Sequence, residues 1–231
     1  MNEVTDPDRI GENYRAVLQE VAEAERASGR PAGSVKVVGV SKYVDADTTA
    51  HLVAAGCKDL GESRPQTIWQ KADSGVLPQD VRWHLVGHLQ RNKVRRLLKY
   101  DPWIHSVDSK RLVEEIAHQA AKLQMTATVL IEVNISGDEA KTGMSAESTL
   151  EICQNLPSQG LKVVGLMAMA GWGTDRSKAQ EQFARTRQLR DQLRERTGLP
   201  LDELSMGMSA DFVAAIAEGA TIVRVGRRLF Q

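Results

Sequence analysis

Cysteine is scarce in this sequence of 231 residues, which contains only Cys57 and Cys153. The two form no CxxC pair and fall at no spacing typical of metal ligands. No metal site is therefore expected. Because structural disulfides belong mainly to oxidising compartments, we expect a reduced, cytoplasmic protein.

Net charge is absent as well, since 30 lysines and arginines balance 30 aspartates and glutamates. Bulk charge therefore gives no reason to expect a nucleic-acid or membrane partner. No apolar run approaches the ~20 residues that span a bilayer, and the charged first 30 residues contain no signal-peptide core. No G-x-G-x-x-G or P-loop sequence is present, so Rossmann and nucleotide-kinase functions lack support.

Apolar, β-branched segments alternate with helical patterns from residue 35 to the last residue. We count eight strand-like segments and seven helices, preceded by an amphipathic helix from Asp8 to Ser28. Strict alternation predicts parallel strands joined by right-handed crossovers, in an open doubly wound sheet or a closed barrel. Eight units in about 200 residues favour a (β/α)8 TIM-type barrel, in which the leading helix covers the face of a missing eighth helix.

No linker-like composition divides the chain. We therefore predict a single domain over residues 1–231, with a leading helix in 1–30 and the barrel in 35–231.

Polar side chains lie at the ends of several predicted strands. In a barrel of this type the carboxyl ends of the strands carry the active site. The residues found there are Lys42, Glu62, Ser63, His84, Asn134, Ser205, Ser209 and Arg224.

Lys42 ends the apolar run "VKVVGVSK". A lone lysine there is most simply explained by a stem packed on the rim with its ammonium group in water. The alternative is a nucleophile, because a partly desolvated pocket favours the neutral amine, which can attack a carbonyl.

The segments "SMGMSADF" and "RVGRR" are candidates for a phosphate site. Ser209 is a natural N-cap for the helix "ADFVAAIAEGA", and Gly226 could expose an amide after the eighth strand. Barrel enzymes often bind phosphate between the loops after strands seven and eight. An ordinary serine cap and a turn glycine are the alternative.

Arg224 should face opposite to Val223 and Val225 by strand alternation. An inward guanidinium needs an acceptor, whereas an outward one would lie under a helix. The pair His84 and His88 in "HLVGH" does not match a zinc motif, and the basic segment from Leu89 to Lys99 is typical of a solvated helix face.

Several segments together resemble the pyridoxal phosphate homeostasis protein family, which is related to the barrel domain of alanine racemases. The similarity runs from about residue 35 to the end and rests most specifically on "GHLQRNK" and "SMGMSADF". The other segments that carry it are "VVGVSKYVDA", "DLGESRPQ", "IHSVDS", "VLIEVNISGDEAKTGM", "VVGLMAM" and "VRVGRRLF".

The resemblance implies a fold-type III barrel that holds pyridoxal 5′-phosphate (PLP) as an aldimine on Lys42. It also implies that Ser209 and Gly226 hold the phosphate and that Arg224 faces the pyridine nitrogen. An arginine there stays protonated and keeps that nitrogen unprotonated. The cofactor-binding residues expected in all are Lys42, Ser63, His84, Met208, Ser209, Arg224, Gly226 and Arg227, with no catalytic residue.

Two residues depart from the family pattern. Ser63 replaces an asparagine, which puts any ring contact by that amide in doubt, although a hydroxyl can still hydrogen-bond. Arg227 replaces a small hydroxyl residue and either adds charge near the phosphate or points to solvent.

Two functions follow from the resemblance: a non-catalytic protein that buffers or delivers PLP to apoenzymes, and an amino-acid racemase-like enzyme. Racemases of this fold take a second base from a C-terminal domain, which is not expected in a chain that stops at Gln231. Tyr43, next to Lys42, should face away from it. We therefore expect the binder, as a monomer.

Overall fold

Eight parallel strands close into a barrel in the computed structural model, which describes residues 6–136, 142–171 and 173–231. The strands pair in chain order, and β1 closes the barrel by pairing with β8. The predicted closed barrel is thereby confirmed, and the open sheet is excluded. The strands are β1 (Lys36–Val40), β2 (Asp59–Glu62), β3 (Arg82–Leu85), β4 (Trp103–Val107), β5 (Ala127–Glu132), β6 (Leu161–Met167), β7 (Glu203–Met208) and β8 (Ile222–Val225).

Helices connect successive strands and cover the outside of the barrel. Several begin with a side-chain cap, for example Asp45 accepting from the Thr48 amide and Asp175 accepting from the Lys178 amide. The α-helices are α1 (Pro7–Ala27), α2 (Ala46–Ala54), α3 (Pro65–Ala72), α4 (Val94–Leu97), α5 (Lys110–Lys122), α6 (Ala146–Gln154), α7 (Arg176–Thr197) and α8 (Phe212–Ala217).

Helix α1 covers the outer face next to β8. In a full (β/α)8 barrel this place would be taken by the helix that follows β8. A 3₁₀ turn over Arg227–Phe230 follows β8 instead. Asn13 in α1 donates to the Gln231 carbonyl at 2.7 Å, and Glu20 pairs with Arg228. The predicted role of the leading helix is confirmed.

One predicted element differs from the structure. The helix expected across "LQRNKVRRLLKY" is α4 flanked by 3₁₀ turns, and Asp101 in the left-handed conformation ends it. The broken helix buries Val94, Leu97 and Leu98.

Apolar packing divides into two parts. A large outer cluster lies between the strands and the helices, and a small inner cluster of Val38, Val40 and Ile222 lies within the barrel. Much of the remaining interior is polar, which is unusual for a barrel core. Among the described residues, no helix is both long and apolar enough to cross a membrane.

Residues 1–5 of the predicted leading segment and residues 137–141 of the motif "VLIEVNISGDEAKTGM" lie outside the described residues.

Candidate functional site

The carboxyl ends of the strands meet at one mouth of the barrel, because all eight strands are parallel. Lys42 lies two residues beyond β1, and Ser63 directly follows β2. Met208 ends β7, and Gly226 directly follows β8. The topology therefore brings most of the predicted site residues to the same end.

Lys42 is exposed at this mouth. Its Nζ lies 4.9 Å from the centroid of the Tyr43 ring, so the expectation that Tyr43 faces away is wrong. Alternation failed because β1 ends at Val40, and the chain turns through residues 42–44. The described residues alone do not form the partly desolvated pocket that the nucleophile alternative for this lysine requires.

A buried polar cluster fixes the backbone directly before Lys42. The Nζ of Lys71 donates to the Ser41 carbonyl at 2.8 Å and to Glu62 Oε1 at 2.6 Å, and the Ser41 hydroxyl donates to the same carboxylate at 2.7 Å. Thr49 Oγ1 accepts from Lys71 at 3.1 Å. We call these four residues the clamp: Ser41, Thr49, Glu62 and Lys71.

The clamp is closed to solvent, with exposed fractions of 0% for Glu62 and 3% for Lys71. Burial lowers the pKa of Lys71, and the nearby Glu62 carboxylate opposes that shift. Among the described residues, Glu62 Oε2 has no hydrogen-bond partner. Sequence reasoning noted Glu62 as a strand end but missed Lys71, because a lysine inside a helix is usually solvated.

A second set of polar residues crosses the barrel interior. His84 Nδ1 lies 2.9 Å from His105 Nε2, and His84 Nε2 lies 2.9 Å from Asp59 Oδ1. His105 Nδ1 lies 2.8 Å from Ser205 Oγ, which accepts from Arg224 at 2.6 Å. We call these five residues the interior chain: Asp59, His84, His105, Ser205 and Arg224.

His84 does not lie at the mouth with the other predicted residues. It is fully buried, and both of its ring nitrogens are engaged within the interior chain. The ring is therefore not placed for a direct contact with a ligand. His105 was missed, although it lies on the next strand within the quoted segment "IHSVDS".

Arg224 points into the barrel, which decides between the inward and outward orientations that strand alternation left open. Its guanidinium also donates to the Ala168 carbonyl at 3.0 Å, and the residue is 5% exposed. Burial lowers its pKa to about 10, a shift that the charges of Asp211 and Glu132 oppose. The group therefore remains positively charged at neutral pH.

The loop after β7 forms a tight turn rather than a helix start. Asp211 donates its amide to the Met208 carbonyl, and its carboxylate accepts from the Met208 amide at 2.6 Å. The turn delays α8 until Phe212, so Asp211 and not Ser209 is the N-cap. Ser209 lies within the turn, two residues earlier.

Gly207 allows this turn to pack against α8. Its φ is +91°, and a Cβ there would lie 2.6 Å from Ala215 Cβ and 2.8 Å from Phe212 Cα. Only glycine fits both the conformation and the space.

Four backbone amides are open on the loops after β7 and β8. Within the described chain, no acceptor is found for the N–H groups of Ser209, Ala210, Gly226 and Arg227. The loops are neighbours, because β7 pairs with β8. The Arg227 side chain is exposed. Free amides on two adjacent loops suit an anion such as phosphate.

A cavity of about 670 Å³ opens on the β5 to β7 side of the mouth. Met169 and Met208 give it an apolar wall, and Glu132 lies at its buried end. Burial raises the pKa of Glu132, against a hydrogen bond that it accepts from Thr142 at 2.5 Å. Glu132 is a further residue that sequence reasoning missed.

Ser63 is partly buried beside the mouth. Gly87 packs so closely on it that a Cβ there would lie 2.4 Å from the Ser63 carbonyl oxygen. This contact fixes the backbone of Ser63.

The chain matches one described sequence family along almost its whole length. The model of the family described as "Alanine racemase, N-terminal domain" covers residues 6–231. A pyridoxal phosphate homeostasis protein of Aquifex aeolicus is 38% identical over 220 residues, which are 95% of this chain and 96% of the relative.

Two solved structures are similar over most of both chains. PipY of Synechococcus elongatus, solved with PLP bound, is 35% identical with a TM-score of 0.80, covering 91% of this chain and 100% of PipY. A structure described as an unknown protein from Bifidobacterium adolescentis is also 35% identical, with a TM-score of 0.90, and covers 99% of this chain and 98% of its own.

Proposed function

The chain belongs to the alanine racemase N-terminal domain family and, within it, to the pyridoxal phosphate homeostasis proteins, and on that premise we propose that it binds PLP and takes part in PLP homeostasis. The role is buffering or delivery of the cofactor. The PLP bound in PipY, a relative of the same fold, supports the proposal.

One observation carries the proposal: an exposed lysine amine, four open backbone amides and a buried arginine all belong to the same barrel mouth. PLP has an aldehyde, a phosphate and a pyridine ring, and each of these groups matches one member of that set. The cavity that Ala210 shares with Met208 and Asp211 has a volume within the range of about 300–1,000 Å³ typical of small-molecule sites.

Each residue then has a separate role. Lys42 holds the cofactor covalently through Nζ, while the amides of the turn at Ser209 and of Gly226 hold the phosphate. When bound, the cofactor supplies an aldehyde carbon that an amine captures with loss of water.

Arg224 presents a permanent positive charge to the ring, which keeps the ring nitrogen an acceptor. Ser63 contributes a hydroxyl in place of an amide, Met208 an apolar contact, and Arg227 its amide and its charge. His84 acts indirectly, through the interior chain.

We infer that the protein has no catalytic activity of its own. A protein that delivers PLP must release it to other proteins, and an open barrel mouth favours that release. Lys42 is exposed at this mouth. PLP-dependent apoenzymes are the proposed recipients. We further propose a cytoplasmic monomer in which residues 35–231 act as one PLP-binding domain.

The test is uptake of PLP by the purified protein, followed by borohydride reduction and peptide mapping. The expected result is a visible absorbance band and a reduced adduct on Lys42. Lys42→Ala should lose both, whereas Lys58→Ala, which removes an exposed lysine next to the amino-terminal end of β2, should retain both. A wild-type protein that stays colourless with excess PLP would contradict the proposal.

A second function, amino-acid racemisation, is favoured by the position of Tyr43, whose ring is 4.9 Å from Lys42 Nζ. Two bases are needed for that reaction, and a lysine and a tyrosine are both present. The two functions are separated by incubating the PLP-loaded protein with amino acids in deuterated water. Exchange of the α-proton at enzyme-like rates, abolished in Tyr43→Phe, would favour the enzyme over the binder.

A further inference from the structure

The interior chain links β8 to β2 through the middle of the barrel. All of its members except Asp59 are at least nine-tenths buried, and each contact is between 2.6 and 2.9 Å. The His84 and His105 rings meet edge to face, with centroids 5.0 Å apart. Residues from five positions on five strands therefore form one continuous hydrogen-bonded path.

The carboxylate at one end fixes the direction of the hydrogen bonds when both rings are neutral. Asp59 as a carboxylate can only accept, so His84 carries its proton on Nε2, and its Nδ1 accepts from His105 Nε2. His105 Nδ1 then accepts the Ser205 hydroxyl proton. Arg224 can only donate, and Ser205 Oγ accepts from it.

Both imidazoles are neutral in this arrangement, in agreement with their complete burial. A second proton on His84 would direct two N–H groups at one another, and a second proton on His105 would displace the proton that Ser205 donates. Burial lowers the pKa of His105 well below its usual value, and the neighbouring His84, Arg224 and Lys36 act in the same direction. The reversed direction would require a protonated Asp59, whose pKa is lowered.

The groups facing the rings agree with this assignment. Burial lowers the pKa of His84, with Lys36 and Arg82 adding to the shift and Asp59 opposing it. Burial alone would raise the pKa of Asp59, but its hydrogen bond with His84 and the nearby Lys36 and Arg82 lower it overall. The carboxylate end of the chain is therefore ionised at neutral pH.

We propose that Ser205, His105, His84 and Asp59 are positioning residues for Arg224, joined in a one-directional hydrogen-bond chain that holds its guanidinium towards the barrel mouth. Ser205 makes the only contact between the guanidinium and the histidines within the described residues. The orientation of the cation at the ligand site is thus set by a carboxylate on the opposite side of the interior. The link to PLP rests on the proposed function, whereas the chain itself does not.

The proton positions can be read directly by imidazole ¹⁵N–¹H correlation spectra of the protein without cofactor. His84→Gln and His105→Gln assign the two buried rings, and the exposed His51 and His118 provide reference signals in the same spectra. We expect both buried rings protonated on Nε2 alone, unchanged between about pH 8 and about pH 6. A proton on Nδ1 of either ring, or a doubly protonated ring in that range, overturns the proposal.

The positioning role is tested with Ser205→Ala, with Ser205→Thr as the rescue variant. Ser106→Ala is the matched control, because Ser106 is equally buried but donates to the Gly87 carbonyl outside the chain. We expect Ser205→Ala to free the guanidinium to rotate, so that the separate NMR signals of the Arg224 side-chain N–H groups become averaged. The same variant should weaken PLP retention by about tenfold. Ser205→Thr should restore both, and Ser106→Ala should change neither.

Arg224 signals that are unaffected by Ser205→Ala would overturn the positioning role, and this result needs no cofactor. Failure of the wild-type protein to take up PLP would instead sink the proposed function. The two failures are therefore distinguishable.

Discussion

The clamp and the interior chain are both buried polar groups, but they differ in how their hydrogen bonds are shared. In the clamp, Lys71 and Glu62 contact each other directly, and both also contact Ser41. Within the interior chain each member contacts only its neighbours, and Arg224 has one further partner outside it, the Ala168 carbonyl. The clamp is thus redundant and fixes the backbone next to Lys42, whereas the interior chain depends on every member and fixes one side chain, Arg224.

The largest expected effect breaks the clamp at its ion pair. Lys71→Met leaves the Glu62 carboxylate buried without its cation, so we expect a loss of about 3–5 kcal/mol in the free energy of unfolding. Urea denaturation measures it, with Lys58→Met as the control, because the Lys58–Asp80 pair is exposed. Equal urea midpoints for the two variants would show that the clamp is not a stabilising ion pair.

A matched pair of serine variants tests whether the clamp has more redundant hydrogen bonds than the interior chain. Ser205→Ala deprives Arg224 and His105 of one partner each, so we expect a loss of about 2–3 kcal/mol. Ser41→Ala leaves the Lys71–Glu62 contact intact and should lower stability by about 1 kcal/mol. Both serines are fully buried, so unequal exposure cannot explain a difference. Equal losses would contradict the contrast between the two groups.

The interior chain also predicts a pH dependence that the clamp does not. The pKa of His105 is lower in the folded protein than in the unfolded chain, so below about pH 6.5 the unfolded state binds the extra proton. Stability should therefore fall on acidification, by up to about 1.4 kcal/mol per pH unit for this ring. His105→Gln should reduce the slope below pH ~6.5, and His118→Gln, at an exposed site, serves as the control. A slope that His105→Gln leaves unchanged would assign the effect to other groups.

The smallest expected effect on stability is at the residue with the largest expected effect on function. Lys42 is exposed and contacts the Tyr43 ring, so Lys42→Ala should change the free energy of unfolding by less than about 0.5 kcal/mol. Calorimetry on the protein without cofactor measures this. A clear loss of stability would mean that the lysine also has a structural role.

The barrel was predictable because its signal is distributed over the whole chain. Eight apolar segments alternate with helical patterns, and Arg224 could be placed on the face opposite to the two valines beside it, although which face is the interior was left open. The sequence pattern was less informative about where individual helices begin. Ser209 was a plausible cap by residue type, but the Asp211–Met208 turn competes for the same backbone and delays the helix.

The clamp was beyond sequence reasoning for a physical reason. Its lysine looks like any solvated helix residue until α3 packs over the ends of β1 and β2. The interior chain was partly within reach, since His84 and His105 lie on adjacent strands. The contact between His105 and Ser205 joins residues 100 positions apart, and only barrel closure brings them together.

Helix α1 packs against elements near the far end of the chain, so its packing can be completed only late in synthesis. This helix is synthesised about 200 residues before α8 and the Arg227–Phe230 turn that it contacts. At ~5–20 residues per second, the part of the helix that packs on these late elements stays uncovered on the ribosome for roughly 10–40 s. Chaperone contacts in that interval should fall on the stripe formed by Ile10, Val17 and Val21.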